Sequence, residues 1–143
     1  MAGAATAAAV AVVLVYLVVR FAAQNPDDAN LGDREFRFQA ESLAEEIADN
    51  GPFLLKDPLN RGREVYVQHL GDDPGQGWTA VLAYASRPRV ECLLAWDAGR
   101  RLFRDPCTGR TFPADGRGLT SFPATVKGGE VTFDLRSPSS PGA

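Results

Sequence analysis

From Gly51 onward the chain is cut at short intervals by residues that regular secondary structure absorbs poorly, because twelve of the 14 Gly and nine of the 10 Pro lie there. Pro lacks the amide hydrogen that continues a helix, and Gly costs backbone entropy in any regular element, so a mainly helical fold is disfavoured. Between the breaks the chain is apolar and β-branched: 64–70 (EVYVQHL), 78–86 (WTAVLAYAS), 90–96 (VECLLAW), 101–104, 124–127 and 131–135. Turn formers bound these runs: Gly71-Asp72-Asp73-Pro74-Gly75, Asp97-Ala98-Gly99, Ala114-Asp115-Gly116 and the hairpin pair Gly128-Gly129. The expected fold class is all-β, a small antiparallel domain.

One short amphipathic helix is expected before Gly51. Ser42 and Glu45 have capping-box spacing, Leu43, Ala44, Ile47 and Ala48 share one helical face, and Gly51-Pro52 ends the segment. Its acidic residues Glu41, Glu45, Glu46 and Asp49 read as solvated surface. With 143 residues the chain suits one domain of ordinary size, set at 34–136. Residues 24–33 (QNPDDANLGD) read as a polar linker and 137–143 (SPSSPGA) as a disordered tail.

The amino end is of a different kind. Residues 2–19 carry no charge, and as a helix they would span about 27 Å, close to the hydrocarbon thickness of a bilayer. Arg20 follows, with Tyr16 and Phe21 near the same boundary. Residues 1–23 are therefore expected to form a single transmembrane anchor. A cleaved signal peptide is the alternative, but no basic region precedes the run and Ala22-Ala23-Gln24 is a poor cleavage site. A buried core helix is disfavoured because Val and Ala leave no polar stripe.

The formal net charge of −3 offers no basic surface for nucleic acid. Its placement is uneven, with twelve acids against five bases in 24–75 and six acids against nine bases in 76–143. Catalytic constellations are missing. The single His69 lies within a strand-like run and reads as structural or surface imidazole. No Walker or Rossmann glycine pattern occurs, and one His with two separated Cys does not close a zinc site. Cys92 and Cys107 enclose a segment whose length is compatible with a disulfide worth about 3 kcal/mol. In a reducing compartment the same residues would be two buried thiols, whereas behind a membrane anchor an even count favours pairing.

The stretch Cys92-Leu93-Leu94-Ala95-Trp96-Asp97, then Arg101-Leu102-Phe103, Asp105-Pro106-Cys107-Thr108-Gly109-Arg110, Ala114-Asp115-Gly116, Phe122-Pro123 and Val126-Lys127-Gly128-Gly129-Glu130-Val131 resembles the cluster-binding half of a Rieske iron-sulfur protein. In that family a first loop C-x-H-x-x-C runs into an apolar strand often ending in Trp. A second loop C-P-C-H-G-S opens onto a D-G turn, and a Gly hairpin precedes the closing strands. The resemblance covers 87–135, about one third of the chain.

It implies that Cys92 and Cys107 keep the disulfide of the respiratory members. It also implies that the four cluster-ligand positions hold Arg87, Arg89, Asp105 and Thr108. None of these reproduces the family's Cys and His pairs, since Arg has no lone pair to give and a Thr hydroxyl is a poor ligand for ferric iron. A [2Fe-2S] cluster is thereby excluded at this site, and no cofactor is expected.

Anchor, linker and β domain share the layout of respiratory Rieske subunits, whose domain lies outside the cytoplasm and docks its tip onto a partner. The resemblance thus implies a membrane-anchored, non-catalytic accessory module with a protein partner at the loop tip. The alternative is a redox protein using the Cys92/Cys107 pair or an unannounced cofactor. A third reading, anion binding by Arg87 and Arg89, rests on two loop arginines whose ordinary place is solvent.

Orientation is testable directly. Arg20, Arg34 and Arg37 follow the run and none precedes it, which favours a cytoplasmic domain; a structural disulfide requires the oxidising side. The disulfide argument leads, so a phosphatase fused after Leu135 should be active and a fluorescent protein fused there dark. Fluorescence alone would reverse the topology.

Overall fold

The computed structural model describes residues 35–56 and 63–141. The anchor expected over 1–23 and the linker over 24–33 lie outside these residues, and among the described residues no helix is long and apolar enough to cross a membrane. The chain divides into two units between Asp33 and Arg34, and the described residues all belong to the second.

They form, in order, β1 (Glu35–Gln39), α1 (Ala40–Asn50), β2 (Phe53–Leu55), β3 (Val65–His69), β4 (Trp78–Leu82), a 3-10 turn (Val90–Cys92), β5 (Ala95–Asp97), β6 (Leu102–Arg104), β7 (Thr111–Pro113), β8 (Ser121–Phe122), β9 (Ala124–Lys127) and β10 (Glu130–Asp134). Three sheets result, ordered β1-β10-β9, β2-β3-β4-β8 and β5-β6-β7, and every strand pair is antiparallel. The domain is mostly β with one short helix, as the breaks and alternation imply.

The middle sheet organises the rest because its two long strands are buried on both faces. Val65, Val67 and Ala80 join a first core with Leu43 and Ile47 of α1 and Phe133 of β10. Tyr66 and Val81, alternating with them, join a second core with Leu94, Phe103 and Phe112. A strand with one wet face would show polar residues at every second position; β3 shows burial from Val65 through Gln68 instead.

The hairpin expected at Gly128-Gly129 is present. Lys127 pairs with Glu130 across a two-residue loop, and both glycines have positive φ, 59° and 77°, the conformation of a type I′ turn. This hairpin also sets the start of α1. Gln39 closes β1 opposite Glu130, and the next amide, Ala40 N–H, donates to the Gly129 carbonyl at 2.9 Å. The Ser42/Glu45 capping box is therefore corrected: the helix begins at Ala40, Gln39 makes no side-chain cap, and Ser42 lies inside the first turn. A backbone carbonyl from a neighbouring hairpin supplies what a cap side chain would have supplied.

Three further expectations change. Residues 90–96 were expected as one strand, but the chain turns at Val90–Cys92, with Cys92 N–H donating to the Arg89 carbonyl at 2.8 Å, and only Ala95–Asp97 is extended. The reason is tertiary: Val90 is 83% exposed, and the chain must turn to bring Cys92 and Leu94 inward. In the segment expected to be a disordered tail, Ser139 exchanges backbone hydrogen bonds with Ser121 at 3.1 and 2.8 Å. Strands β1, β2, β7 and β8 are additional to the expected set. Of these β1 was legible, since Phe36 and Phe38 alternate with Glu35, Arg37 and Gln39.

The D-G turn is held at its glycine. Gly116 has φ 73°, and a Cβ there would lie 2.4 Å from Val81 Cγ1 in the middle sheet. Left-handed strain and overpacking then act together, so Gly116→Ala should lose about 2–4 kcal/mol. Gly128 also has positive φ but meets nothing within 4 Å; Gly128→Ala should lose only about 1 kcal/mol. Urea midpoints at unchanged m-value measure both, and equal losses would show that packing on Val81 is irrelevant.

Candidate functional site

The third sheet carries the sequence-marked residues. It is seated on the second core by Phe103, fully buried, whose ring lies 5.0 Å from Trp96 and 5.3 Å from Tyr66. The Tyr66 hydroxyl donates to the Leu94 carbonyl at 2.8 Å and fixes the strand that leads into β5. Burial of the ring raises the Tyr66 phenol above its ordinary 10.0, so it remains a donor. Two loops project from this base: 85–94 ahead of β5, and 105–110 between β6 and β7.

Cys92 and Cys107 join these loops in a disulfide, with Cα atoms 5.2 Å apart. Cys92 is buried and Cys107 belongs to the exposed loop. A second brace lies beside it. Asp105 is fully buried. Its carboxylate accepts the Cys107 amide at 2.8 Å, the Thr108 hydroxyl at 2.8 Å and the Thr108 amide at 3.4 Å. The Ser86 side chain of the first loop donates to it as well. Its backbone closes the same loop, N–H to the Arg110 carbonyl and C=O from the Gly109 amide, both at 2.8 Å.

Burial alone would raise the Asp105 carboxyl. The hydrogen bonds from Thr108, Cys107 and Ser86 outweigh it and hold the group below its ordinary 3.8. The carboxylate is thus ionised and internal to the tip, acting as a hub rather than as a surface charge.

The four positions to which the resemblance assigns cluster ligands separate into two sets. Asp105 and Thr108 bond to each other, while Arg87 and Arg89 are exposed on the first loop, Arg89 pairing with Glu91 at 3.8 Å. These residues do not fit an iron-sulfur cluster: the one carboxylate is consumed by internal donors, and the remaining side chains are two cations and a hydroxyl. Among the described residues, no group of three His, Cys, Asp or Glu side chains is placed to hold a metal ion.

The outer surface of the tip combines one apolar residue with positive charge. Val90 is the exposed large hydrophobic residue among those described, preceded by Arg89 and followed by Glu91, and Arg110 lies 5.1 Å over the Phe112 ring. The two loops, 85–94 and 105–110, carry Arg87, Arg89 and Arg110 against Glu91 and the buried Asp105.

His69 is far from this chemistry in role. Its Nε2 lies 2.9 and 3.0 Å from the Asp73 and Gln76 carbonyls, so it carries the hydrogen and donates to both. The ring lies 4.5 Å from Trp78, whose indole N–H donates to the Pro74 carbonyl at 2.8 Å. Together they pin the 70–77 turn.

Ser86, Glu64 and Tyr84 gain site roles that the sequence does not single out. Ser86 follows a strand-like run with no motif around it, and its meeting with Asp105 depends on how two distant loops fold together. Glu64 and Tyr84 are hydrogen-bonded beside the tip. The chain matches no family model, no curated protein and no solved structure.

The two braces predict separable behaviour. Cys107→Ala should cost about 2–4 kcal/mol and leave one maleimide-reactive thiol in the denatured, unreduced protein. The Asp105 contribution is complete above the unfolded carboxyl's 3.8 and drains as pH falls toward the lower folded value. Urea midpoints between pH 5 and 2 should therefore drop for the wild-type chain and be flatter for Asp105→Asn. Identical slopes would remove Asp105 from the account.

Proposed function

We propose that this chain is a membrane-anchored, non-catalytic module of Rieske-like build that holds no iron-sulfur cluster. It serves a membrane complex outside the cytoplasm as an accessory subunit that docks a protein at its tip. The observation that carries the reading is the tip itself. A disulfide and a buried, hydrogen-bonded aspartate brace two loops, the first of which exposes Val90, Arg87 and Arg89. Rigid loops lose little conformational freedom on association, and an exposed apolar residue on an arginine-bearing loop suits a docking patch. The Arg excess selects an acidic partner surface. Three small sheets with the third carrying two bridged loops also support the Rieske-like comparison.

A second reading, a redox protein working through Cys92/Cys107, draws on the exposure of Cys107, which leaves one end of the bridge open to a thiolate. A structural brace has a reduction potential below about −300 mV, and a switch lies above it; glutathione titration with thiol counting separates the two.

Docking is tested with a photoreactive side chain at Val90 in the full-length chain in native membranes, set against the same group at Glu45 on α1. Val90 should yield a discrete crosslinked species and Glu45 none. Replacing Arg87 and Arg89 together by Glu should lower that yield at least tenfold. Equal yields from both positions would contradict docking at the tip.

A further inference from the structure

Beside the tip, a cleft of about 500 Å³ opens between the edge strand β2 and the first loop, lined by Leu54, Lys56, Glu64, Tyr84, Val90 and Leu93 among others. Its volume suits a small ligand or one long side chain. Leu54, Val90 and Leu93 make apolar walls, and the carboxylate of Glu64 is the anionic group in the lining. The Tyr84 hydroxyl hydrogen-bonds to that carboxylate, and burial followed by the neighbouring Glu64 pushes the phenol up to about 12, so it stays a donor. Glu64 Oε2 is closed to solvent and has no hydrogen-bond partner among the described residues. Lys56 lines the same cleft, yet no ion pair joins it to Glu64 among the described residues.

A carboxylate oxygen sealed from water and without a donor among the described residues is an acceptor that a donor entering the cleft would satisfy. The terminal torsion of Glu is soft, so a turn of the carboxylate exchanges its oxygens and presents the unpaired one to the cleft without moving the backbone. The complementary group is a cation with several N–H donors, and the apolar walls call for an aliphatic stem behind it.

We propose that the Glu64–Tyr84 cleft binds an ammonium or guanidinium group on an aliphatic stem, and that its occupant is a lysine or arginine side chain of the protein docked at the tip. The occupant rests on the docking reading; the chemistry of the cleft does not. The surface recognised would then be acidic around one basic residue, matching the Arg-rich loops around one carboxylate.

The test is a titration of the full-length chain in detergent micelles with n-butylammonium chloride at fixed ionic strength, followed by NMR at the Val90 and Leu93 methyl groups, with n-butanol as the uncharged control. n-Butylammonium should bind saturably and at least tenfold tighter than n-butanol. Glu64→Gln should remove that preference, and Lys56→Met, which takes a competing cation from the cleft without touching the core, should tighten binding severalfold. Should Glu64→Gln fail to fold, Tyr84→Phe and Lys56→Met carry the same question. Equal binding of the two probes, or affinities unmoved by these variants, would overturn the cleft and leave docking at Val90 standing. Selective n-butylammonium binding without any crosslink from Val90 would overturn the partner side chain as occupant and the docking reading with it.

Discussion

Two adjacent strands, β3 and β4, are covered on both faces, and everything else in the domain is arranged by that coverage. Val65, Val67 and Ala80 look into a core closed by α1 and β10, while Tyr66 and Val81 look into a second core closed by β5 to β7. A side-chain period of two sends neighbouring residues to opposite faces, so one short pair of strands can found two cores only if both sets are apolar or internally bonded. The polar exceptions obey this: Gln68 is buried, and its side chain accepts the His69 amide at 3.1 Å. The third sheet is thus a small platform whose seat, Phe103, belongs to the second core and whose far edge is free to present loops.

Such short loops have little area to bury, and their order comes from covalent and polar bonds instead. The disulfide removes chain entropy, and Asp105 collects donors from both loops, which only an ionised carboxylate can satisfy together. A hydrogen-bonded carboxylate joins the two loops. With Asp105 bonded internally, Val90, Arg87 and Arg89 are among the exposed side chains of the first loop. Beside these loops, Glu64 Oε2 is the buried side-chain oxygen without a hydrogen-bond partner among the described residues.

Much of this architecture is written in local signals. Gly and Pro spacing, the Gly128-Gly129 pair and the apolar runs at 64–70 and 124–135 suffice for an antiparallel β domain because a two-residue hairpin and a period of two are properties of a few neighbouring residues. The same holds for the candidate bridge between Cys92 and Cys107, named from count and resemblance before any geometry. β2, β7 and β8 were not legible, since two or three residues carry no measurable period, whereas the equally short β5 and β6 are marked by the Asp97-Ala98-Gly99 turn between them.

What sequence by itself determined, then, is the class of the domain, the helix before Gly51, and the places where chemistry could gather. Tertiary structure alone decided that α1 starts on the Gly129 carbonyl and not at Ser42, that 90–96 turns at Cys92, that Asp105 points inward to meet Ser86 and Thr108, and that Glu64 and Tyr84 share a cleft with Val90. The helix start, the Ser86–Asp105 bond and the Glu64–Tyr84 cleft join residues far apart in the chain. Propensity and spacing describe what a segment can do alone, whereas a buried hydrogen bond between distant segments is fixed only when packing has excluded water from both ends of it.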